Sequence, residues 1–289
     1  MKVIKITPRG FCPGVVSAIK IVNDAISDPS IPRPIQILGM IVHNHYVVDD
    51  FTSKGVITLD KTMASRHELL QMVKSGTVII TAHGVSDDIF DSLIKKNIHV
   101  IDATCKDVLR TKNLVLEQLS KNAEVIYIGK KNHPETEGVI SLSSHIYLVE
   151  SLEDVAQLPY FKEDVFITNQ TTFSLRDIDS ITKALLERFP EATVADEICD
   201  STRLRQEAII EQNKDVDLCF IVGDPRSNNT RNLAKISAET THTKTIQIES
   251  VDDIVEEMLV GVKTVSVSSG ASTPTYITKQ VIAYLENHQ

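Results

Sequence analysis

Three cysteines, Cys12, Cys105 and Cys199, stand 93 and 94 residues apart, each alone in its stretch of chain. None has a second cysteine near enough for a C-x-x-C pair or an ordinary zinc knuckle. Each opens a helical pattern: Cys12 before "PGVVSAIKIV", Cys105 before "KDVLRTKNLVL" and Cys199 before "DSTRLRQEAII". A thiol at a helix start meets unpaired N–H groups and the positive end of the dipole, which favour thiolate. Three thiolates in one pocket repel one another unless a positive centre sits between them, so the spacing points to a metal centre. Soft thiolates select zinc, copper(I) or iron–sulfur clusters. Structural zinc and cubane clusters both normally take four protein ligands, so three would leave one position open. The fourth cysteine, Cys219 in "DLCFIVG", reads as a buried strand residue.

Two series of polar loops keep step with the cysteines. About thirty residues after each come "IVHN" with His43, "GKKNHPE" with His133 and "GDPRSNN" with Asn228. About seventy residues after each come "AHGVS" with His83, "NQTTFS" with Thr171 and "SSGASTP" with Ser272. His43, His83, His133, Ser227, Asn229 and Ser272 offer donors suited to phosphate. Glycine in "HGVS" and "SGAS" lets backbone approach a ligand. His133-Pro134-Glu135 sets a carboxyl beside a histidine at a helix start, and Glu135 is the candidate general acid. To donate near neutral pH it must be desolvated against the pull of the helix dipole. His67, His99, His145, His242 and His288 read as surface or structural residues. His45 is expected to face away from the site, and Glu137 to reach solvent or cap its helix.

The elements that must position these loops follow from the apolar runs. "KVIKI", "TVIITA", "EVIYIG", "DVFITN", "LCFIVG" and "TVSVSS" are continuous rather than alternating, as strands buried on both faces of a parallel sheet should be. Amphipathic stretches lie between them, which makes the chain α/β. The matched thirds predict a pseudo-threefold repeat of one small α/β unit, with boundaries at 1–98, 99–193 and 194–289. All nine loops, three with cysteine and six polar, then fall at the carboxyl ends of strands, where open parallel sheets bind ligands.

Composition excludes several classes. The formal charge of −9 argues against a nucleic-acid or anionic-membrane surface. The start "MKVIKITPRG" is unlike a signal peptide, and no apolar run approaches a membrane span. Four scattered cysteines do not make a secreted disulfide scaffold, so a cytoplasmic enzyme with functional thiols is expected.

Taken in order, "RGFCPGV", "VHN", "AHGVS", "DATC", "HPETEG", "QTT", "ICDSTRLRQEA", "SNNT" and "GAST-P" resemble the 4-hydroxy-3-methylbut-2-enyl diphosphate reductases, the IspH/LytB family. The resemblance runs from Pro8 to about Pro274. It implies three α/β units arranged as a trefoil around one [4Fe–4S] cluster, held only by Cys12, Cys105 and Cys199 with one iron open. It implies reductive removal of the substrate's terminal hydroxyl, as water, to give isopentenyl and dimethylallyl diphosphate, the last step of the non-mevalonate isoprenoid pathway. Glu135 takes the position of the proton donor, His133 its neighbour, and Thr171 the place beside the substrate hydroxyl. His43, His83, His133, Ser227, Asn229 and Ser272 take the diphosphate positions, with Thr172 and Asn228 close by. The implied partners are the small allylic diphosphate and an electron donor such as ferredoxin or flavodoxin, with no nucleic acid and no membrane.

The third phosphate loop departs from the family's common Ser-Ser-Asn, having Ser227-Asn228-Asn229, and leaves the role of Asn228 open. An aconitase-like hydro-lyase would take a carboxylate and call for arginine among the loops. Only Arg9, Arg203, Arg205 and Arg226 are near, and histidine dominates. A non-catalytic iron–sulfur sensor or structural zinc protein would leave the His133–Glu135 pair without a purpose.

Overall fold

The computed structural model describes residues 1–60 and 65–288. The first stretch runs β1 (Lys2–Lys5), α1 (Pro13–Ser27), β2 (Ile35–Leu38), α2 (His45–Ser53), β3 (Ile57–Leu59), α3 (Arg66–Met72), β4 (Thr77–Ile80) and α4 (Asp87–Lys95). The second repeats that order as β5 (His99–Asp102), α5 (Lys106–Ser120), β6 (Glu124–Ile128), α6 (Pro134–Ile140), β7 (Ile146–Val149), α7 (Leu152–Gln157), β8 (Val165–Asn169) and α8 (Leu175–Arg188). The third runs β9 (Thr193–Val194), α9 (Asp200–Gln212), β10 (Leu218–Val222), α10 (Asn228–Thr240), β11 (Lys244–Ile248), two short 3₁₀ turns, β12 (Thr264–Ser269) and α11 (Thr275–Asn287).

The strands form three four-stranded sheets, ordered β3-β2-β4-β5, β7-β6-β8-β9 and β11-β10-β12-β1, and every pairing is parallel. The expected α/β class with largely parallel sheets is the observed one. Sheet membership does not follow the expected boundaries at 98/99 and 193/194. The first boundary divides the repeat of elements and the second falls inside β9, but the first strand of each repeat completes the sheet of the repeat before it. β5 pairs with β4, β9 with β8, and β1 closes the series by pairing with β12. The physical reason is that each third carries a sheet with one bonding edge still unfilled, and the next strand in the chain fills it. By compactness the chain divides into two units: Met1–Val15, His43–Val47 and Asp200–Gln289 form one, Val16–Val42 and Val48–Cys199 the other. The first holds the sheet containing β1; the second holds the other two.

In each sheet the connections run one way from the second strand in the order and the opposite way from the third. Such a switch point leaves a crevice at the carboxyl ends of the two central strands. The central strands are β2 and β4, β6 and β8, β10 and β12, and the histidine, threonine and serine loops of the sequence series follow these strands.

Both faces of the β10 sheet are covered. Leu218, Phe220 and Val222 pack with Val265, Val267 and the α11 residues Ile277, Val281 and Leu285. Cys219 and Ile221 point the other way, onto Ala208, Ile209, Leu233 and Ile236 of α9 and α10. The alternation of one strand into two apolar layers explains its uninterrupted hydrophobic run. Cys219 is a core residue, and burial pushes its thiol up from the ordinary value.

Beyond β12 the chain must pass close to α10. A Cβ on Gly270 would stand 2.2 Å from Thr230 Oγ1 and 3.3 Å from Thr230 Cβ. We expect Gly270→Ala to lower stability by roughly 1–3 kcal/mol through this overlap. Adding Thr230→Ala should recover part of the loss, so denaturant unfolding of the double variant should show less than the sum of the two single effects.

Candidate active site

Each of the three cysteine loops is tied down by the same backbone bond. Cys12 N–H donates to the Ala271 carbonyl at 3.0 Å, Cys105 N–H to Ala82 at 2.9 Å, and Cys199 N–H to Thr171 at 3.1 Å. The acceptor lies each time in the loop after the neighbouring central strand, beside or at Ser272, His83 and Thr171. The three thiols are half-buried and in no disulfide. Each directly precedes a helix, and Pro13 fits the first turn of α1, where its missing N–H costs nothing. Cys12 Sγ accepts the Val15 N–H at 3.4 Å, taking up one of the donors that a helix start leaves unpaired. Gly10, just before, sits at φ +80° and gives its N–H to Ser269 Oγ at 2.8 Å. A Cβ there would also meet Thr275 Oγ1 at 2.8 Å.

In the unit that carries β6 and β8, a connected set of polar groups surrounds Glu135. Its side chain is 1 % exposed. Oε1 accepts the Thr171 N–H at 2.7 Å and Oε2 accepts the Thr171 hydroxyl at 3.0 Å. His133 is the N-cap of α6, and its Nδ1 accepts the Glu135 N–H at 3.2 Å. With Nδ1 an acceptor, a neutral imidazole carries its proton on Nε2, which is then the donor side of the ring. The His83 ring stands edge-on to His133, with centroids 4.9 Å apart and planes at 74°. Gln170 braces the set: its Oε1 accepts the Lys130 N–H at 2.9 Å, and its Nε2 donates to Thr172 Oγ1 at 3.0 Å. A small cleft lined by His83, Thr104, Lys112, Glu135 and Gly138 opens beside these groups.

Burial pushes Glu135 up to about 7. The two Thr171 hydrogen bonds and Tyr127 pull the other way, and the Asp107 charge adds a further upward push. Desolvation wins, as a proton donor at neutral pH requires.

In the other unit, Ser272 Oγ donates to the His43 carbonyl at 2.9 Å and lies 3.5 Å from Ser227 Oγ. Ser227 caps α10, accepting the Thr230 N–H at 3.4 Å. Asn229 is buried and its Nδ2 donates to Thr202 Oγ1 at 3.3 Å. Ser227, Ser272 and the His43 backbone are thus brought together, with Asn229 on the inner side of the same helix start. The Asn228 side chain is not: its Oδ1 accepts from Arg231 on the exposed side. Asp224 is buried next to this loop. Burial raises its carboxyl, but Arg226, with hydrogen bonds at 2.8, 3.1 and 2.9 Å, and the charge of His43 hold it below the usual carboxylate range.

The arginines are engaged elsewhere. Arg205 is buried and donates to the Gly10 carbonyl at 2.7 Å and the Ser201 carbonyl at 2.8 Å, fastening α9 to the Cys12 loop. Arg9 donates to the Ile6 carbonyl at 3.0 Å. Three of the four nearby arginines are therefore held on protein acceptors, which argues against a carboxylate clamp. His45, expected to face away, pairs through Nδ1 with Glu249 Oε2 at 2.8 Å. His99, His145 and His288 pair with Thr77, Glu124 and Glu256, and His67 with Asp88. Glu137 is half-buried and its charge acts on the Arg66 guanidinium, in place of the expected solvent-facing position. Tyr127 and Gln170 escape a reading of single residues, since one looks like core and the other like part of a loop motif.

A raised carboxyl makes the folded state bind a proton that the unfolded chain releases. Stability should therefore fall as pH rises from about 4.5 to about 7 and then level off, by on the order of 3 kcal/mol for this group. Glu135→Gln should lose that dependence: thermal melts should show the variant gaining on the parent protein between pH 5 and pH 8.

A family model described as "LytB protein" matches residues 3–286. The chain is similar to the 4-hydroxy-3-methylbut-2-enyl diphosphate reductase of Bacillus subtilis (strain 168), at 49% identity over 287 residues, 99% of this chain and 91% of that one. It is similar to the enzyme of the same name from Geobacillus sp. (strain WCH70), at 48% identity over 99% of this chain and 90% of that one. Among solved structures, the E-1-hydroxy-2-methyl-but-2-enyl-4-diphosphate reductase of Plasmodium falciparum superposes with a TM-score of 0.91 at 30% identity, covering 99% of this chain and 88% of that one.

Proposed function

The chain belongs to the LytB protein family, and on that premise we propose that it is a 4-hydroxy-3-methylbut-2-enyl diphosphate reductase. It takes the terminal hydroxyl from an allylic diphosphate as water, consuming two electrons and two protons, and yields isopentenyl and dimethylallyl diphosphate. The observation that carries the reading is the buried, protonatable Glu135 clasped by Thr171, whose carbonyl in turn holds the Cys199 loop.

The donor set fits an iron–sulfur group. Cys12, Cys105 and Cys199 are half-buried free thiols held by equivalent bonds, each directly before a helix, whereas Cys219 is enclosed in apolar core. These three would hold a [4Fe–4S] cluster, leaving one iron without a protein ligand. When bound, the cluster supplies electrons and a Lewis-acidic iron for the departing oxygen. Free thiols throughout suit a reducing compartment such as the cytoplasm. A ferredoxin or flavodoxin is the class of donor that would feed the electrons.

The protein's own residues do the rest. Glu135, still protonated near neutral pH, gives its proton to the substrate hydroxyl oxygen, which turns a poor leaving group into water. Thr171 holds the carboxyl in one orientation through two hydrogen bonds and places its own hydroxyl beside the oxygen that leaves. His133 keeps Nε2–H available as a donor because its Nδ1 is committed to the Glu135 backbone. His43, His83, His133, Ser227, Asn229 and Ser272 are assigned to the diphosphate, with Thr172 close by. The part played by Asn228 is assigned to its backbone N–H in the first turn of α10, where helix starts favour anions, because its side chain is turned to Arg231. Binding energy gathered at the diphosphate orients the short reacting carbon chain.

Anaerobically isolated protein should contain about four irons and about four acid-labile sulfides per chain. Alanine at Cys12, Cys105 or Cys199 should abolish the visible absorption, and Cys219→Ala should keep it. Reduction of the hydroxylated diphosphate with a chemical reductant should fall ~10²–10⁴-fold in Glu135→Gln at unchanged iron content. Full turnover in that variant, or by colourless protein, would remove the basis of the reading.

A further inference from the structure

Tyr127 is a large polar side chain buried in β6, the strand that leads into the loop carrying the acid. It lies next to the carboxyl end of β6 and is fully enclosed, packed with Val115, Val125 and Val139. The ring passes tightly beneath Gly129, where a Cβ would stand 2.8 Å from Tyr127 Cε1 and 2.8 Å from Thr136 Oγ1. With no side chain at Gly129, the ring packs against the turn that leads into α6, and its hydroxyl is near enough to Glu135 for each to act on the other. In this structure the hydroxyl is buried and makes no hydrogen bond of ordinary geometry. Leaving a buried O–H in that state costs about 1–3 kcal/mol.

The groups around it say when the bond would form. Burial first, then the negative charges of Glu135 and Glu197, push the phenol well above its ordinary range, so it stays a neutral donor at every working pH. Glu135 takes two hydrogen bonds from Thr171, one at each oxygen, and on losing its proton it gains a further lone pair with which to accept. Besides Tyr127, the titratable groups that face Glu135 are His133 on its own helix start, His83 after β4, Asp102 at the end of β5, and Asp107 and Lys112 on α5. Within this set Tyr127 is the neutral hydroxyl donor from the sheet side, opposite the Thr171 clasp.

We propose that Tyr127 is a positioning residue that donates a hydrogen bond to the Glu135 carboxylate as it forms, and so sets the strength of the acid. The inference rests on Glu135 being the proton donor. No electron moves in this step: the proton leaves Glu135 for the substrate oxygen, while the Tyr127 O–H bond stays intact and reorients.

Tyr127→Phe keeps the ring and removes only the hydroxyl. Losing a donor to the charged form must raise the Glu135 pKa, so the basic limb of the pH–rate profile should move up by on the order of one unit. Turnover at pH 6 should fall several-fold, because a weaker acid donates less readily, while KM changes by less than about twofold. Infrared difference titration of the anaerobic holoenzyme supplies a readout independent of turnover. The protonated-carboxyl band that disappears in Glu135→Gln should persist to higher pH in Tyr127→Phe by the same margin as the rate limb. A band that titrates at the parental midpoint in Tyr127→Phe overturns the proposal. Full turnover by Glu135→Gln would instead overturn the catalytic reading, leaving the infrared comparison to decide the Tyr127–Glu135 bond.

Discussion

One backbone hydrogen bond, made three times, organises the chemistry of this protein. The N–H of Cys12, Cys105 and Cys199 is each held by a carbonyl in the loop after a central strand, at 3.0, 2.9 and 3.1 Å. A single such bond contributes only about 1 kcal/mol net. Its importance lies in direction. It joins the loop that follows an edge strand, which carries the thiol, to the loop that follows a central strand, which carries Ser272, His83 or Thr171. Without it, thiol and polar donor would sit on neighbouring loops with independent freedom. With it, strand pairing inside each sheet limits how far thiol and polar donor can part.

Charge is handled with equal economy. The chain carries −9 overall, yet its proposed substrate is an anion. The donors assigned to that anion are imidazoles, hydroxyls, an amide and backbone N–H groups, while Arg205 and Arg226 are drawn into Gly10, Ser201 and Asp224. Neutral donors suit a pocket that also houses an acid which must stay protonated. A guanidinium beside Glu135 would favour its charged form and drag its pKa down, and the charges that do act on it are negative.

Much of this was legible before any coordinates. Even spacing of Cys12, Cys105 and Cys199, and the polar loops in step with them, foretold a repeated α/β unit with its special residues at strand ends. The pair His133–Glu135 was visible because proline marks the helix start between them. What escaped did so for physical reasons. Pairing of β1 with β12 has no local signature: "KVIKI" looks the same whichever sheet it joins. Arg205 looked like a helical cation near the loops, and only burial shows it acting as a stitch. Tyr127 sits in "EVIYI", an apolar run in which a tyrosine reads as core. Its hydroxyl gains meaning from Gly129 and Glu135, which reach it through folding. Asn228 and Asn229 are neighbours in sequence, but a helix turns adjacent residues about 100° apart, so one faces Thr202 inside and the other Arg231 outside.

Closure of the third sheet by the first strand also has a history. β1 is made first by the ribosome, yet Lys2 meets Thr264, a residue synthesised 262 positions later. Among the described residues β12 is its sole strand neighbour. The Cys12 loop cannot gain its Ala271 anchor until the chain has been made through that residue, whereas the anchors of Cys105 and Cys199 precede them in sequence. The order of that loop thus waits on a residue about 260 positions further along the chain, whatever its thiol goes on to hold.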